Sequence, residues 1–375
     1  MRIGVVGATG AVGEEIVHVL RDRKVIVDEL RLFASEKSAG KTRDTFLGDI
    51  TLQTFSVEAC KGLDVVFLAV SGSFSLTYAH AIIEATGAVV IDNSSAFRMD
   101  PNVPLVIPEI NGHTAQGHKL IANPNCTTAI AAMALWPIHC RFGIASLIMS
   151  TYQAASGSGA EGMSELQQQT NSYVNKEQLQ NKVFAYPLLF NVIPHIDMFL
   201  ENGYTKEEMK VAWETRKIFG CPNMDISCTA VRIPTLRAHA EAITLETVLP
   251  VTCNGVYSSL ESAIGVDIVD DPENRIYPMP LNASAKENVE VGRIRQSLVF
   301  GDHGIDLFVC GDQLLRGAAL NAVLIAEFME IGDYSRNAPL APTRVFNLRP
   351  KEMKILLFSS IVSAILVAGV FITKK

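Results

Sequence analysis

Apolar residues in this chain fall in short blocks that alternate with longer amphipathic stretches. Residues 2–7 form a first apolar block, and a helical pattern follows through Glu15, Ile16, Val19 and Leu20. Further strands are expected at 29–34, 63–70 and 88–92, with a helix over about 76–85 set off by Ser71-Gly-Ser. Leu120, Ile121 and Ala122 read as the end of another strand, followed by a helix through Ala129, Ala132 and Leu135. Strand alternating with helix predicts a parallel, doubly wound α/β sheet. Trp136-Pro137 closes that pattern.

The second part has a different texture. A long strand at 146–155 is broken by Ser156-Gly-Ser-Gly159, and helical patterns lie at 160–170 and 206–217. Two ion pairs at i, i+3, Glu207/Lys210 and Glu214/Lys217, read as solvated helix decoration. Strands are expected within 227–249, broken at Pro234, and at 307–311; an apolar-striped helix at 313–330 returns to the first unit. The expected organisation is a first α/β unit over 1–126, completed by 313–332, and an α+β unit over 127–312. Residues 333–353 carry three prolines and read as linker. Residues 355–373 hold no charge; their nineteen positions span roughly 28 Å as a helix, close to a bilayer core of about 30 Å. A single C-terminal transmembrane helix is therefore expected, anchoring a cytoplasmic catalytic unit to a membrane.

Composition adds little to this picture. The 375 residues are 48% hydrophobic with a net charge of −7, and no basic run points to nucleic acid. Seven scattered cysteines include no C-x-x-C pair, so neither zinc nor a disulfide framework is indicated, and a reducing compartment fits.

Candidate chemistry begins at Gly7, Ala8, Thr9, Gly10, Ala11, Val12 and Gly13. Glycines between a buried strand and a helix let backbone amides approach a pyrophosphate at the helix N-terminus, a Rossmann-like arrangement. The second strand ends at Ser35, Glu36, Lys37 and Ser38 rather than in the single acid that usually holds a ribose 2′-hydroxyl. Hydroxyl and ammonium groups suit a 2′-phosphate, so NADP is expected over NAD.

Asn123-Pro-Asn125 is a turn, and Cys126 follows at a helix start that Thr127 or Thr128 can cap. The positive end of the helix dipole is expected to favour thiolate there, making Cys126 a nucleophile. Arg98 follows the strand at 88–92 and is placed to meet an anion. Arg232 and His239 are seven apart, so an unbroken strand would point them to opposite faces; only the Pro234 break allows them to converge.

Together these segments resemble the aspartate-semialdehyde dehydrogenase family over roughly residues 1–332. The resemblance rests on Gly7-Ala-Thr-Gly-Ala-Val-Gly13, Leu32 to Lys41, Asn93-Ser-Ser-Ala-Phe-Arg98, Asn123-Pro-Asn-Cys-Thr-Thr128 and Thr151-Tyr-Gln-Ala-Ala-Ser-Gly157. It extends to Glu207-Glu-Met-Lys210, Arg232-Ile-Pro-Thr-Leu-Arg-Ala-His239 and Gly317-Ala-Ala-Leu-Asn321. A related reductase of N-acetylglutamyl phosphate has its cysteine after Asn-Pro-Gly, whereas this chain has Asn-Pro-Asn.

The resemblance implies NADPH-dependent reduction of L-4-aspartyl phosphate to L-aspartate semialdehyde and phosphate, within amino-acid biosynthesis (lysine and diaminopimelate, threonine, methionine). It implies Cys126 as nucleophile, His239 as acid/base and Gln153 as the residue positioning the acyl group. Arg232 would grip the α-carboxylate, Glu207 the amino group, and Arg98 with Lys210 the phosphate. Asn125 would border the substrate, with Ser156, Gly157 and Asn321 toward the cofactor. It implies 1–126 as the NADP-binding domain, 127–312 as the catalytic (substrate) and dimerisation domain, and a homodimer or homotetramer. The rival readings are the reductase of a related acyl phosphate and a membrane-tethered relative without activity. Gly311-Asp-Gln-Leu-Leu-Arg-Gly317 departs from the family's usual Asp-Asn-Leu-Arg-Lys-Gly.

Overall fold

A computed structural model describes residues 1–331 of the chain. Six short strands build its first sheet: β1 (Arg2–Val6), β2 (Glu29–Ala34), β3 (Gln53–Thr54), β4 (Val65–Leu68), β5 (Val89–Asp92) and β6 (Leu120–Ala122). All pair in parallel, in the order β3-β2-β1-β4-β5-β6. The chain winds outward from β1 one way and from β4 the other, which leaves a crevice at their carboxyl ends. Helices α1 (Ala11–Asp22) and α2 (Gly72–Thr86) cover opposite faces. Ile3 and Val5 pack with Ile16 and Leu20 of α1, while Val66 and Leu68 pack with Ala79 and Ile82 of α2. Ser71 caps α2 through a bond from the Phe74 amide, and Gly87, at φ 71°, ends it.

A second sheet is mixed. Its strands are β7 (Ile144–Gln153), β8 (Asp225–Arg232), β9 (His239–Thr247), β10 (Val266–Ile268), β11 (Val289–Gln296) and β12 (Gly304–Gly311), in the order β8-β7-β9-β12-β11-β10. Between the sheets runs α3 (Cys126–Phe142); α4 (Gly159–Val174) and α5 (Lys206–Phe219) complete this part. One continuous core joins Val90 and Leu120 of the first sheet, through Ala129, Leu135 and Ile138 of α3, to Leu147, Ile243 and Leu245 of the second. A capping box between Thr205 and Glu208 starts α5, and Gly220 in the left-handed region stops it.

Three expectations are corrected. The boundary at Trp136-Pro137 is absent: α3 runs through Pro137 because every residue from 127 to 140 is buried, and packing offsets the ~3 kcal/mol a mid-helix proline costs. The returning helix is not uniform: Leu315–Ala319 forms a wider π turn before α6 (Leu320–Ile331). The fold class contains two α/β units but no membrane span: among the described residues no helix is long and apolar enough to cross a bilayer. The last of them, α6, has 12 residues, about 18 Å against the ~30 Å required. The expected transmembrane segment at 355–373 and the linker at 333–353 lie outside the described residues.

Candidate active site

Strand β6 delivers the chain into the turn Asn123-Pro-Asn125, and Cys126 is the first residue of α3. The cap is Asn125 and neither threonine: its Oδ1 accepts from the amides of Thr127 (3.1 Å) and Thr128 (3.2 Å). The Asn125 amide donates to Glu214 Oε2 at 2.6 Å, and Glu214 Oε1 pairs with Arg98 Nη1 at 3.1 Å. Arg98 also donates to the carbonyls of Asn123 (2.8 Å) and Asn93 (2.9 Å). Behind this turn, the wholly buried Asn321 donates to Asn123 Oδ1 (2.6 Å) and to the Val106 carbonyl (2.9 Å). The turn that presents the thiol is therefore gripped from several elements at once.

The other half of the site comes from the second sheet. His239 opens β9, is fully buried, and brings Nε2 to 3.6 Å from Cys126 Sγ. The Ala154 amide donates to its Nδ1 at 3.1 Å, so the neutral ring carries its proton on Nε2, facing the sulfur. Arg232 closes β8 and donates through Nη1 to the Ala154 carbonyl at 2.6 Å. The reversal between the two strands includes Ala238 at φ 65°, so Arg232 and His239 do converge. Gly157 lies against both: a Cβ there would be 2.6 Å from Arg232 Nη1 and 3.3 Å from His239 Nε2. Ser156 is buried too, and its hydroxyl accepts from Gln313, which also takes the Ala238 amide at 2.8 Å.

Helix α5 supplies a buried charge network that is not solvated decoration. Glu207 accepts from Asn125 Nδ2 (2.9 Å), Gln153 Nε2 (3.2 Å) and Lys210 Nζ (3.0 Å). Lys210 also binds Asp197 at 2.7 Å. Burial opposes ionisation of Glu207, but Lys210 and the two amides outweigh it and hold its carboxyl below the ordinary value. Glu214 is the reverse case: burial dominates, and its carboxyl lies above the ordinary value despite Arg98. Lys217 does not pair with Glu214; it donates to the carbonyls of Arg98, Asp100 and Val103. Arg98 and Lys210 each already have acidic partners, and the two are linked through Glu214, Asn125 and Glu207.

The expected resting thiolate is corrected. Burial first, and the Glu207 carboxylate second, push the Cys126 thiol up to about 11, against the opposite pull of Arg98 and Arg232. Burial and Arg232 lower His239 to about 3. At neutral pH the pair is thiol and neutral imidazole. Alkylation of the free protein at Cys126 by iodoacetamide is expected to keep accelerating with pH beyond 9. A plateau reached by pH 7 would show an ion pair instead.

At the first sheet's crevice, Gly7 adopts φ 85° and a Cβ on it would be 2.2 Å from the Ala69 carbonyl. A Cβ on Gly13 would lie 2.2 Å from the Gly7 carbonyl, so only glycine allows α1 to approach β1 this closely. The Gly7 and Ala8 amides are used by the Phe33 carbonyl at 3.0 Å each, while α1 starts at Ala11 behind Gly10 without a side-chain cap. Uncapped amides at Ala11, Val12 and Gly13, beside Thr9, leave donors of the kind that can receive an anion at a helix start. Ser35 and Lys37 are exposed and Ser38 half-buried at the end of β2.

Sequence reasoning missed Glu214, Gln313 and Gly317. A Cβ on Gly317, in the π turn, would come 2.6 Å from Cys126 Cβ, so this glycine lets the turn rest against the thiol's own residue. Its signal was the departure at 311–317, where the altered Gln313 is the residue that ties Ser156 to Ala238.

Residues 2–118 match the family model described as semialdehyde dehydrogenase, NAD binding domain, and residues 135–316 the one described as semialdehyde dehydrogenase, dimerisation domain. The chain is 45% identical to aspartate-semialdehyde dehydrogenase of Synechocystis sp. over 331 residues, 88% of this chain and 97% of that one. The chain belongs to the aspartate-semialdehyde dehydrogenase family. The Bacillus subtilis member is 42% identical over 340 residues, covering 88% and 97%. Among solved structures, aspartate semialdehyde dehydrogenase II of Vibrio cholerae complexed with ASA superposes with a TM-score of 0.84 at 39% identity, over 89% of this chain and 98% of that one. The Candida albicans family member with NADP gives 0.67 at 25% identity, covering 89% and 99%. Membership assigns the first unit to a nicotinamide dinucleotide and the second to dimerisation.

Proposed function

We propose that the chain catalyses the NADPH-dependent reductive dephosphorylation of L-4-aspartyl phosphate to L-aspartate semialdehyde, in a reducing, cytoplasmic setting where its seven free cysteines persist. The observation that carries this is the Cys126 Sγ–His239 Nε2 approach of 3.6 Å at the head of α3, inside a family whose members bear that activity in their names. Cys126 attacks the acyl carbon; the carbon–oxygen bond to phosphate breaks, and the thiol proton leaves with the phosphate. The resulting thioester sits on the cysteine, with the His239 Nε2–H directed at the oxygen that gains charge on reduction. When bound, NADPH would supply the hydride, and a proton from solvent, relayed through His239, would complete the hemithioacetal. Collapse of the hemithioacetal returns the thiol and frees the aldehyde.

Arg232 is suited to a bidentate grip on the α-carboxylate, and Glu207 to the ammonium group, which together favour a free amino acid over an acylated one. Gln153, already bonded to Glu207, orients the acyl group beside Asn125. Lys210 and Arg98 supply the positive charge that draws phosphate into a partly dry pocket. The Gly7–Gly13 loop would hold the pyrophosphate, and Ser35, Lys37 and Ser38 the 2′-phosphate that selects NADP. Ser156, Gly157 and Asn321 would face the cofactor. The assembly is read as a homodimer or homotetramer through the second domain.

The test is NADPH formation at 340 nm with L-aspartate semialdehyde, phosphate and NADP. Activity that requires phosphate, prefers NADP over NAD and ignores N-acetylglutamate semialdehyde is expected. Preference for the acylated aldehyde would overturn the substrate assignment.

A further inference from the structure

We infer that Phe184, held in place by Glu165, is a positioning residue that sets the Arg232 guanidinium for a substrate carboxylate. This rests on the reading of Arg232 as the carboxylate clamp. The Arg232 guanidinium lies over the Phe184 ring, 5.7 Å from its centroid, and both residues are buried. Nη1 is tied to the Ala154 carbonyl, and Gly157 lies close against it. A guanidinium stacked on a ring keeps its plane and offers its edge, the geometry a bidentate carboxylate needs.

Phe184 has no strand or helix to hold it; it belongs to the irregular segment between α4 and α5. Glu165, on the buried face of α4, supplies the anchor. Its carboxylate accepts from three consecutive amides, those of Lys182 (2.7 Å), Val183 (2.6 Å) and Phe184 (3.4 Å). One turn further along the same face, Gln169 takes the amides of Leu188 (2.9 Å) and Leu189 (3.0 Å) and donates to the Gln180 carbonyl (2.8 Å). Among the described residues Glu165 makes no ion pair; besides these amides its carboxylate accepts only from Gln169 Nε2, at 3.3 Å. Space for the ring is left by Gly162, where a Cβ would come 3.2 Å from Phe184 Cζ. The helix that follows Ser156 and Gly157 thus also fixes the ring behind the clamp.

The experiment compares two aldehydes with the full-length protein: L-aspartate semialdehyde and 3-aminopropanal, which lacks only the carboxylate. Phe184→Leu is expected to raise KM for the first about ten-fold, with kcat nearly unchanged, and to leave kcat/KM for the second as it was. Phe184→Tyr, which keeps the ring, is expected to restore KM, and Glu165→Gln to shift it in the same direction as Phe184→Leu. Inhibition constants for L-2-aminobutyrate and 1-aminopropane, which differ only by a carboxylate, give the same comparison without turnover. Equal losses with both aldehydes, or none with either while Arg232→Leu discriminates between them, would overturn the inference. Failure of Arg232→Leu itself to discriminate would instead overturn the clamp reading beneath it.

Discussion

Cys126→Ala is expected to abolish turnover, by about 10⁴-fold or more, while dinucleotide binding stays intact. The residue heads α3 with its sulfur 3.6 Å from His239 Nε2 and no other thiol in contact with that ring. Its sulfur faces His239 in the site, whereas the residues packed into the core are 127–140 behind it. Alanine keeps the Asn125 cap, whose bonds go to the amides of Thr127 and Thr128. The Gly7–Gly13 loop proposed to hold the dinucleotide is a separate segment. Turnover and NADPH binding, the latter followed by cofactor fluorescence, should therefore part company. Cys126→Ser is expected to be nearly as inactive, since a hydroxyl is a poorer nucleophile and a poorer leaving group than a thiol. Loss of both turnover and binding would mark a structural cysteine.

Arg98→Met is expected to cost about 3–5 kcal/mol of stability, because it strands the Glu214 carboxylate in the interior. Both side chains are more than nine-tenths buried, and Glu214 also holds the Asn125 amide. The same variant should lose activity, since the turn before Cys126 loses the bond that Arg98 donates to the Asn123 carbonyl, and the neighbouring Asn93 carbonyl loses its own. The sign of the pH dependence follows from the carboxyl. Glu214 already sits above its ordinary value through burial, and removing Arg98 raises it further. A carboxyl raised in the fold destabilises it where it is ionised, so the deficit against wild type is full above that raised value. It shrinks as the pH falls and the native state takes up the proton. Urea unfolding at pH 8 and pH 5 checks this, and a double variant with Glu214→Leu should recover much of the loss. A deficit under about 1 kcal/mol at pH 8 would show the pair to be dispensable.

The two predictions draw on different levels of the molecule. Cys126 stood out as a candidate because a turn, a thiol and a helix start are neighbours in sequence, and so did the loop of Gly7, Gly10 and Gly13. The two-unit architecture was legible for the same reason, since each strand and helix shows its own periodicity. Glu214 was not. Its spacing to Lys217 matched an ordinary surface pair, yet the fold buries it against Arg98, 116 positions away. Glu165 was equally silent, because three of its partners are backbone amides that leave no mark on composition.

Even the chemistry of Cys126 needed the fold. A helix N-terminus taken alone favours a thiolate, but burial and the Glu207 carboxylate reverse that preference. Local sequence determines which groups exist and which element each rides on, through propensities and caps acting over a few residues. Tertiary structure alone decides which charges are desolvated together, and desolvation sets both the protonation of Cys126 and His239 and the value of the Arg98–Glu214 pair.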